Sequence, residues 1–272
     1  MIFLFEILSA LFAIILGASF TSYFSVLTNR GFKKSLVDPS YCDNCNKKLQ
    51  PWWMIPILSP LAAVIFHGSK SFCCNKKINF GKYFFSELLG GITGFLMFVL
   101  WWNGLSELSM LLLLWPVLVF LYMGTEDIWH LEITSALLIV LGGLVVLTGL
   151  LFPAWFTEIY GHVFLTLDTL YAALVGAIIV VALIVLSRGK GLGSGDVFIV
   201  AIMGICFGGK GLFLSAQLAV WMGTIIGIAY AIVKRKFRGL IVPLVPFLFL
   251  GWLLFLTFKE FWLQLLPGFS YI

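Results

Sequence analysis

Eight stretches of this chain are apolar over roughly the length of a bilayer crossing. They cover about residues 2–27, 83–103, 108–124, 134–152, 168–187, 196–209, 211–233 and 240–264, where a spanning helix needs roughly 20 residues. Such a chain has few ways to fold, because backbone inside hydrocarbon must satisfy its own hydrogen bonds and does so as helix. Composition agrees: 61% of the 272 residues are hydrophobic and 11% charged, with a mean hydropathy of +1.09. The expectation is an all-α, polytopic membrane protein of about eight transmembrane helices. Gly208 and Gly209 divide the short sixth run from the seventh. The first run is too long, and too poor in preceding positive charge, for a cleaved signal peptide, so it reads as an anchor.

Charge between the runs sets the orientation. If the amino terminus lies outside and the chain alternates, 15 of the 17 Lys and Arg residues fall on one face, leaving Lys210 and Lys259 on the other. Positive charge stays cytoplasmic, so both termini are expected outside. The net charge of +5 then addresses the inner leaflet's lipid and not nucleic acid. Trp101, Trp102, Trp155 and Trp262 fall near the outer helix ends, as an interfacial belt would. The sizeable soluble piece is a basic cytoplasmic loop over 28–82, and the chain divides into an amino-terminal region, 1–103, and a six-helix region, 104–272.

That loop carries four of the five cysteines, as "CDNC" (Cys42, Cys45) and "CC" (Cys73, Cys74). Disulfides are uncommon on the cytoplasmic side, and paired thiolates separated by tens of residues point to a tetrahedral zinc knuckle. The adjacent pair chelates one metal only with strain, so a loop of reduced thiols is the alternative. Cys206, inside a helix, reads as packing.

Ionisable groups within spanning segments are costly and mark function by default. Glu6 and Glu87 lie in or beside helices, Glu126, Asp127 and Glu132 cluster in "TEDIWHLEIT", and Asp196 ends the stretch "GKGLGSGD" (189–196). On the derived topology that cluster and Asp196 share the cytoplasmic face, each at a helix end. Two carboxylates that meet share a proton. The ionised one can act as general base on a water while the protonated one polarises a carbonyl, the chemistry of aspartic proteolysis. Gly191, Gly193 and Gly195 would let backbone pass close to an extended substrate. Taken alone, Asp196 is equally a helix cap. A phosphate loop is disfavoured, since Lys190 precedes the glycines and no strand leads into them. Glu126, Glu132 and His130 read as solvated loop residues, and Glu6 as a residue near the outer interface.

"GSGD" after a basic glycine loop, the upstream aspartate and the cysteine loop together resemble the type 4 prepilin peptidases, bacterial membrane aspartic proteases of the G-x-G-D class. The likeness covers nearly the whole chain. "GASF" (17–20) resembles the family's G-S-F signature, "IPILS" (55–59) its I-P-x-x-S stretch, "YFFSE" the segment ending in glutamate, here Glu87, and "IVPLVPFLFLG" (241–251) its proline-spaced last helix. The resemblance implies Asp127 and Asp196 as the catalytic pair, Asp127 because the family's aspartate stands six residues before an Ile-Pro and here precedes Ile133 by six. It implies cleavage of the basic leader from type IV prepilins or pseudopilins, in pilus assembly, secretion or competence, at the cytoplasmic face of the bacterial inner membrane. No cofactor is needed for that step. Many members then N-methylate the new terminus with S-adenosylmethionine, which the resemblance assigns to the amino-terminal region and Glu87. The chain departs from the pattern at Thr134, where the family has proline; at Ser71, where it has a third cysteine, Cys73 being extra; and at Ser22, where it has asparagine. A proton- or cation-coupled transporter using the same carboxylates is the alternative. It expects broken helices in matched halves, a symmetry the sequence does not show.

Overall fold

A computed structural model describes residues 2–31, 41–42, 45, 47–48, 55–67, 70, 73–74, 80–189, 192–235 and 242–265. Ten helices lie in them: α1 (Ile2–Arg30), α2 (Leu58–His67), α3 (Phe80–Trp102), α4 (Glu107–His130), α5 (Ser135–Leu151), α6 (Pro153–Tyr160), α7 (Leu167–Leu186), α8 (Ser194–Lys234), α9 (Val245–Thr257) and α10 (Lys259–Leu265). The fold is all-α, and the lipid-facing character is plain. Leu4, Phe5, Leu8, Phe12 and Ile15 on α1, like Ile178, Val185 and Leu186 on α7, are large, apolar and exposed.

Among the described residues five helices are long and apolar enough to cross a membrane, and a sixth crossing is made if the α5–α6 pair, bent by 112°, counts as one span. The expected count of eight is not reached, for two physical reasons. The sixth and seventh apolar runs join into the 41-residue α8, in which only Gly208 leaves helical backbone (φ 65, ψ −173). The last run contracts to α9, 13 residues of which all but Leu254 are buried, a helix apolar all round because it is core on every side. Sequence reading also missed α2, which lies inside the stretch taken as a soluble loop.

By backbone contacts the chain forms two compact units: Met1–Phe98 with Ile128–His130, and Val99–Asp127 with Leu131–Ile272. In the first, α1 and α3 meet backbone to backbone. A Cβ on Gly17 would overlap the Gly90 carbonyl, one on Gly90 would overlap the Gly17 carbonyl and Thr21, and one on Gly94 would overlap the Ala13 carbonyl. Small residues at such crossings let membrane helices gain close packing where no hydrophobic drive separates helix from lipid. Lys82 donates to the Trp129 carbonyl at 2.5 Å, closing the last turn of α4.

In the second unit α8 packs along α7 and α9. Its core is aromatic, with Phe120 stacked on Phe249 at 5.5 Å and Trp252 tilted beside both. The break in α8 is braced from the α6–α7 connection and the first turn of α7: Gly209 N–H donates to Asp168 Oδ2 at 3.1 Å, and His162 Nε2 meets the Cys206 carbonyl at 2.7 Å. Trp155, expected in the interfacial belt, is 5% exposed and donates to the Ser109 carbonyl at 3.1 Å. Its indole was needed inside. Trp101 and Trp102 are exposed at the end of α3, as a belt residue would be.

The seam between α1 and α3 makes a prediction. Gly90→Val should force the helices apart and lower the thermal midpoint of the detergent-purified protein, an overpacking cost of about 1–3 kcal/mol or more. Gly143, in α5, has open space where its Cβ would be, so Gly143→Ala should leave the midpoint unchanged or raise it by the helix preference of alanine, about 1 kcal/mol.

Candidate functional site

Asp127 stands in the last turn of α4, and its carbonyl receives the N–H of Leu131, which caps the helix in the left-handed conformation (φ 58). Its side chain is 7% exposed and reaches the start of α9. Oδ2 accepts the Val245 N–H at 3.0 Å, and the Leu244 N–H also donates to the carboxylate. The opening amides of a helix have no carbonyl of their own. Leu244 and Val245 are such groups, and the proline that follows, Pro246, contributes no N–H.

Asp196 is the third residue of α8 and 6% exposed. Its Oδ2 accepts the N–H of Gly193, the residue just before the helix, at 2.8 Å. Asp196 therefore caps from the third helical position, one form of the bland alternative that the sequence left open. The two aspartates lie within electrostatic reach of one another. Each is anchored through one oxygen to a helix-opening amide, which fixes the carboxylate's direction. In both, the oxygen held by that amide is Oδ2.

The turn between α4 and α5 is tied to both. Glu126 takes the Thr134 N–H on Oε2 at 3.0 Å and the Thr134 hydroxyl on Oε1 at 2.5 Å. Glu126 is thus helical and bonded to Thr134 where a solvated loop residue was expected, although those bonds stand in exposed surroundings, and Glu132 and His130 are exposed. A Cβ on Gly195 would stand 3.0 Å from Ile133 Cδ1, so Ile133 of that turn rests on the residue before Asp196. Neither Gly193 nor Gly195 needs glycine for its backbone angles. Gly193 is extended (φ −105, ψ 168) with no neighbour closer than 4.0 Å to a built Cβ, and Gly195 is helical. Lys190 and Gly191 lie outside the described residues.

In the other unit Cys42, Cys45, Cys73 and Cys74 converge, their sulfurs all within 4.8 Å of one another. Cys42 N–H donates to the Lys47 carbonyl at 2.9 Å and Cys45 N–H to the Cys42 carbonyl at 3.3 Å, beside an antiparallel bridge between Tyr41 and Lys48. This tight knuckle points both thiols one way. The adjacent cysteines divide between them, Cys73 facing Cys45 at 3.2 Å and Cys74 facing Cys42 at 3.9 Å. None of the four is in a disulfide. A tetrahedral zinc with Zn–S of about 2.3 Å sets its sulfurs about 3.8 Å apart, so the set fits one ion. Ser71 lies outside the described residues. Glu87 is 4% exposed and accepts the Ile57 N–H at 2.5 Å, with Ser22 as a second partner. Ile57 has φ 63, a rare conformation for a β-branched residue. The carboxylate thus holds a turn, and that fits an anchor better than a ligand for S-adenosylmethionine.

Comparison with known proteins bears on both units. Residues 15–103 match the model of the Bacterial Peptidase A24 N-terminal domain. A prepilin leader peptidase/N-methyltransferase of Pseudomonas aeruginosa is 29% identical over 227 residues, 79% of this chain and 70% of that protein. The chain is thus similar to a prepilin leader peptidase over most of its length. A prepilin leader peptidase/N-methyltransferase of Stutzerimonas stutzeri is likewise 29% identical over 220 residues, 78% of this chain and 70% of its own. No solved structure matches the chain. The prepilin peptidase likeness reaches past the amino-terminal domain, since residues 15–103 alone cannot hold an alignment of that length.

Sequence reasoning missed the groups around the aspartates: the Leu244 and Val245 amides that Asp127 accepts, the bonds between Glu126 and Thr134, and Ile133 beside Gly195. Only the "PLVP" before α9 was a signal, marking a helix start without saying what would cap it. The geometry predicts an order for the glycines. Gly193→Ala should move the thermal midpoint little, within about 1 kcal/mol for a changed cap residue. Gly195→Val should displace Ile133 and lower it by overpacking, about 1–3 kcal/mol.

Proposed function

We propose that the protein is a membrane-embedded aspartic endopeptidase that removes the basic leader from type IV prepilins or pseudopilins, with Asp127 and Asp196 as its catalytic pair. The observation that carries this reading is two buried carboxylates from separate helices, each held by a backbone amide and within reach of the other's charge. Buried acids of this kind need a reason, and the relatives' names supply one. In the reaction the ionised aspartate takes a proton from water as its oxygen attacks the scissile carbonyl carbon. The protonated partner gives its proton to the carbonyl oxygen. Collapse of the tetrahedral intermediate breaks the C–N bond, with a proton passing to the departing amine. The glycine-bearing start of α8 then lies beside the substrate strand, on the cytoplasmic side that the basic loops favour, with both termini outside. A prepilin is itself a membrane helix with a basic leader, which suits an active site at that face.

The amino-terminal region, 1–103, takes the methyl-transfer role that its relatives' names describe. S-adenosylmethionine would supply the methyl group to the new terminus; Glu87 serves there as the anchor of the Ile57 turn. Cys42, Cys45, Cys73 and Cys74 would hold one zinc as a closed structural site, which stabilises the fold and takes no part in proteolysis. Transport is the weaker reading, since no matched halves are evident and the two aspartates are each fixed to a helix start.

Asparagine keeps an oxygen for the amide and loses the ionisable proton, so it separates catalysis from capping. Asp127→Asn and Asp196→Asn should each insert and fold while cleaving a prepilin in detergent at less than about a thousandth of the normal rate, and the double variant should be no worse than either single one. Substantial cleavage by either single variant would make the carboxylates caps alone. The same incubation with and without S-adenosylmethionine reads methylation of the product.

Metal analysis of purified protein should find about one zinc per chain, lost in Cys45→Ser and in Cys73→Ser. A metal-free protein with full thermal stability would leave the cluster as reduced thiols.

A further inference from the structure

Glu126 has an arrangement that the proposed mechanism does not use. Both of its carboxylate oxygens are engaged by one residue, Thr134: the N–H at 3.0 Å and the hydroxyl at 2.5 Å. Thr134 opens α5 with φ −67 and ψ 120, yet its hydroxyl makes no capping bond to that helix. A threonine at this position ordinarily accepts an amide of the first turn. Here the hydroxyl is turned back as a donor to α4. The ring closed by Glu126 and Thr134 encloses the connection 131–133, and within it Ile133 is carried against Gly195. At one end of this assembly stands Asp127, next to Glu126 in sequence; at the other stands Asp196, next to Gly195.

We propose that Glu126 is a positioning residue. By clamping Thr134 it sets Ile133 against the start of α8 and so fixes Asp127 and Asp196 relative to one another. It does not touch the reacting atoms. The clamp and a proline are two solutions to one problem. The observed φ of Thr134 lies within the range proline enforces, about −65°, so a proline there would hold the turn covalently and dispense with both donors. Thr134 offers no such stiffness, and the carboxylate supplies it. Glu126 should therefore matter only while residue 134 is not proline.

The proposal rests on the aspartic-protease reading, so one measurement is independent of activity. Hydrogen exchange of the detergent-purified protein should show peptides covering 131–137 and 192–197 exchanging at least about tenfold faster in Glu126→Ala. Glu126→Gln, with a single acceptor oxygen left, should fall between. Thr134→Pro should return the 192–197 peptide to its slow rate in the Glu126→Ala background. In the cleavage assay Glu126→Ala should lower kcat about tenfold with KM unchanged, and should cost nothing further when Thr134→Pro is present, the non-additivity of one coupled unit. Unchanged exchange over 192–197 in Glu126→Ala would overturn the proposal, whatever the fate of cleavage. A full further loss in the double variant would overturn it too by making Glu126 a catalytic group. Expected exchange with no cleavage by the unaltered protein would instead count against the protease reading and leave the clamp standing.

Discussion

A helix opens with N–H groups that have no carbonyl of their own to meet, and this chain answers that need with acids. Six of its twelve carboxylates accept an amide at a helix start. Glu87 holds Ile57 before α2, Glu158 holds Ser106 before α4, Glu126 holds Thr134 before α5, and Asp196 holds Gly193 before α8. Asp168 holds Gly209 just past the break in α8, and Asp127 holds Val245 at the start of α9. Each pairing also sets a negative charge against the positive end of a helix dipole. Four of the six join segments distant in sequence, so the acids act as the polar joinery of a body whose faces are otherwise apolar. The partners at the amino-terminal end of α4 show the economy of it: Glu158 takes the Ser106 amide and the Ser109 hydroxyl, while Trp155 from the same short helix donates to the Ser109 carbonyl.

This joinery explains how an acid pair can be both structural and reactive. A carboxylate with one oxygen pinned to backbone has a single orientation, and the second oxygen inherits it. Catalytic groups gain when their geometry is fixed before the substrate arrives. Asp127 and Asp196 meet that condition through Val245 and Gly193. The price is that capping alone is an adequate reason for either residue, which is why the neutral isostere, and not alanine, separates the two roles.

The sequence makes the membrane character of the chain legible, because run length and composition leave no other solvent for so apolar a chain. Its break at Gly208 was visible as a glycine pair. The convergence of the cysteines followed from their spacing; what spacing could not convey was how an adjacent pair avoids strain, by sending Cys73 and Cys74 to opposite members of the first pair. Helix count was less legible. Apolar length does not distinguish a crossing helix from one like α9, sheathed by protein on every face, nor a belt tryptophan from Trp155 in the core. The positions of the two aspartates could be read from charge in an apolar context. Their supports could not, because Glu126 and Thr134 are eight residues apart across a turn, and the amides that Asp127 engages come from residues 244 and 245, where the prolines mark a helix start but not its cap.

The glycine seam has a further property. Ala13, Gly17, Thr21 and Ser25 recur every fourth residue along α1, so a slide of one turn, about 5.4 Å, would present the next small residue to α3 with little steric objection. Close packing therefore fixes how near the two helices come but leaves their register degenerate, like a rack whose teeth are evenly spaced. The degeneracy is broken off the seam, where Ser22 of α1 meets the buried carboxylate of Glu87 on α3. That one polar pairing has no equivalent a turn away, since the residues four positions before and after Ser22 are Ala18 and Val26. Glu87 thus indexes the rack.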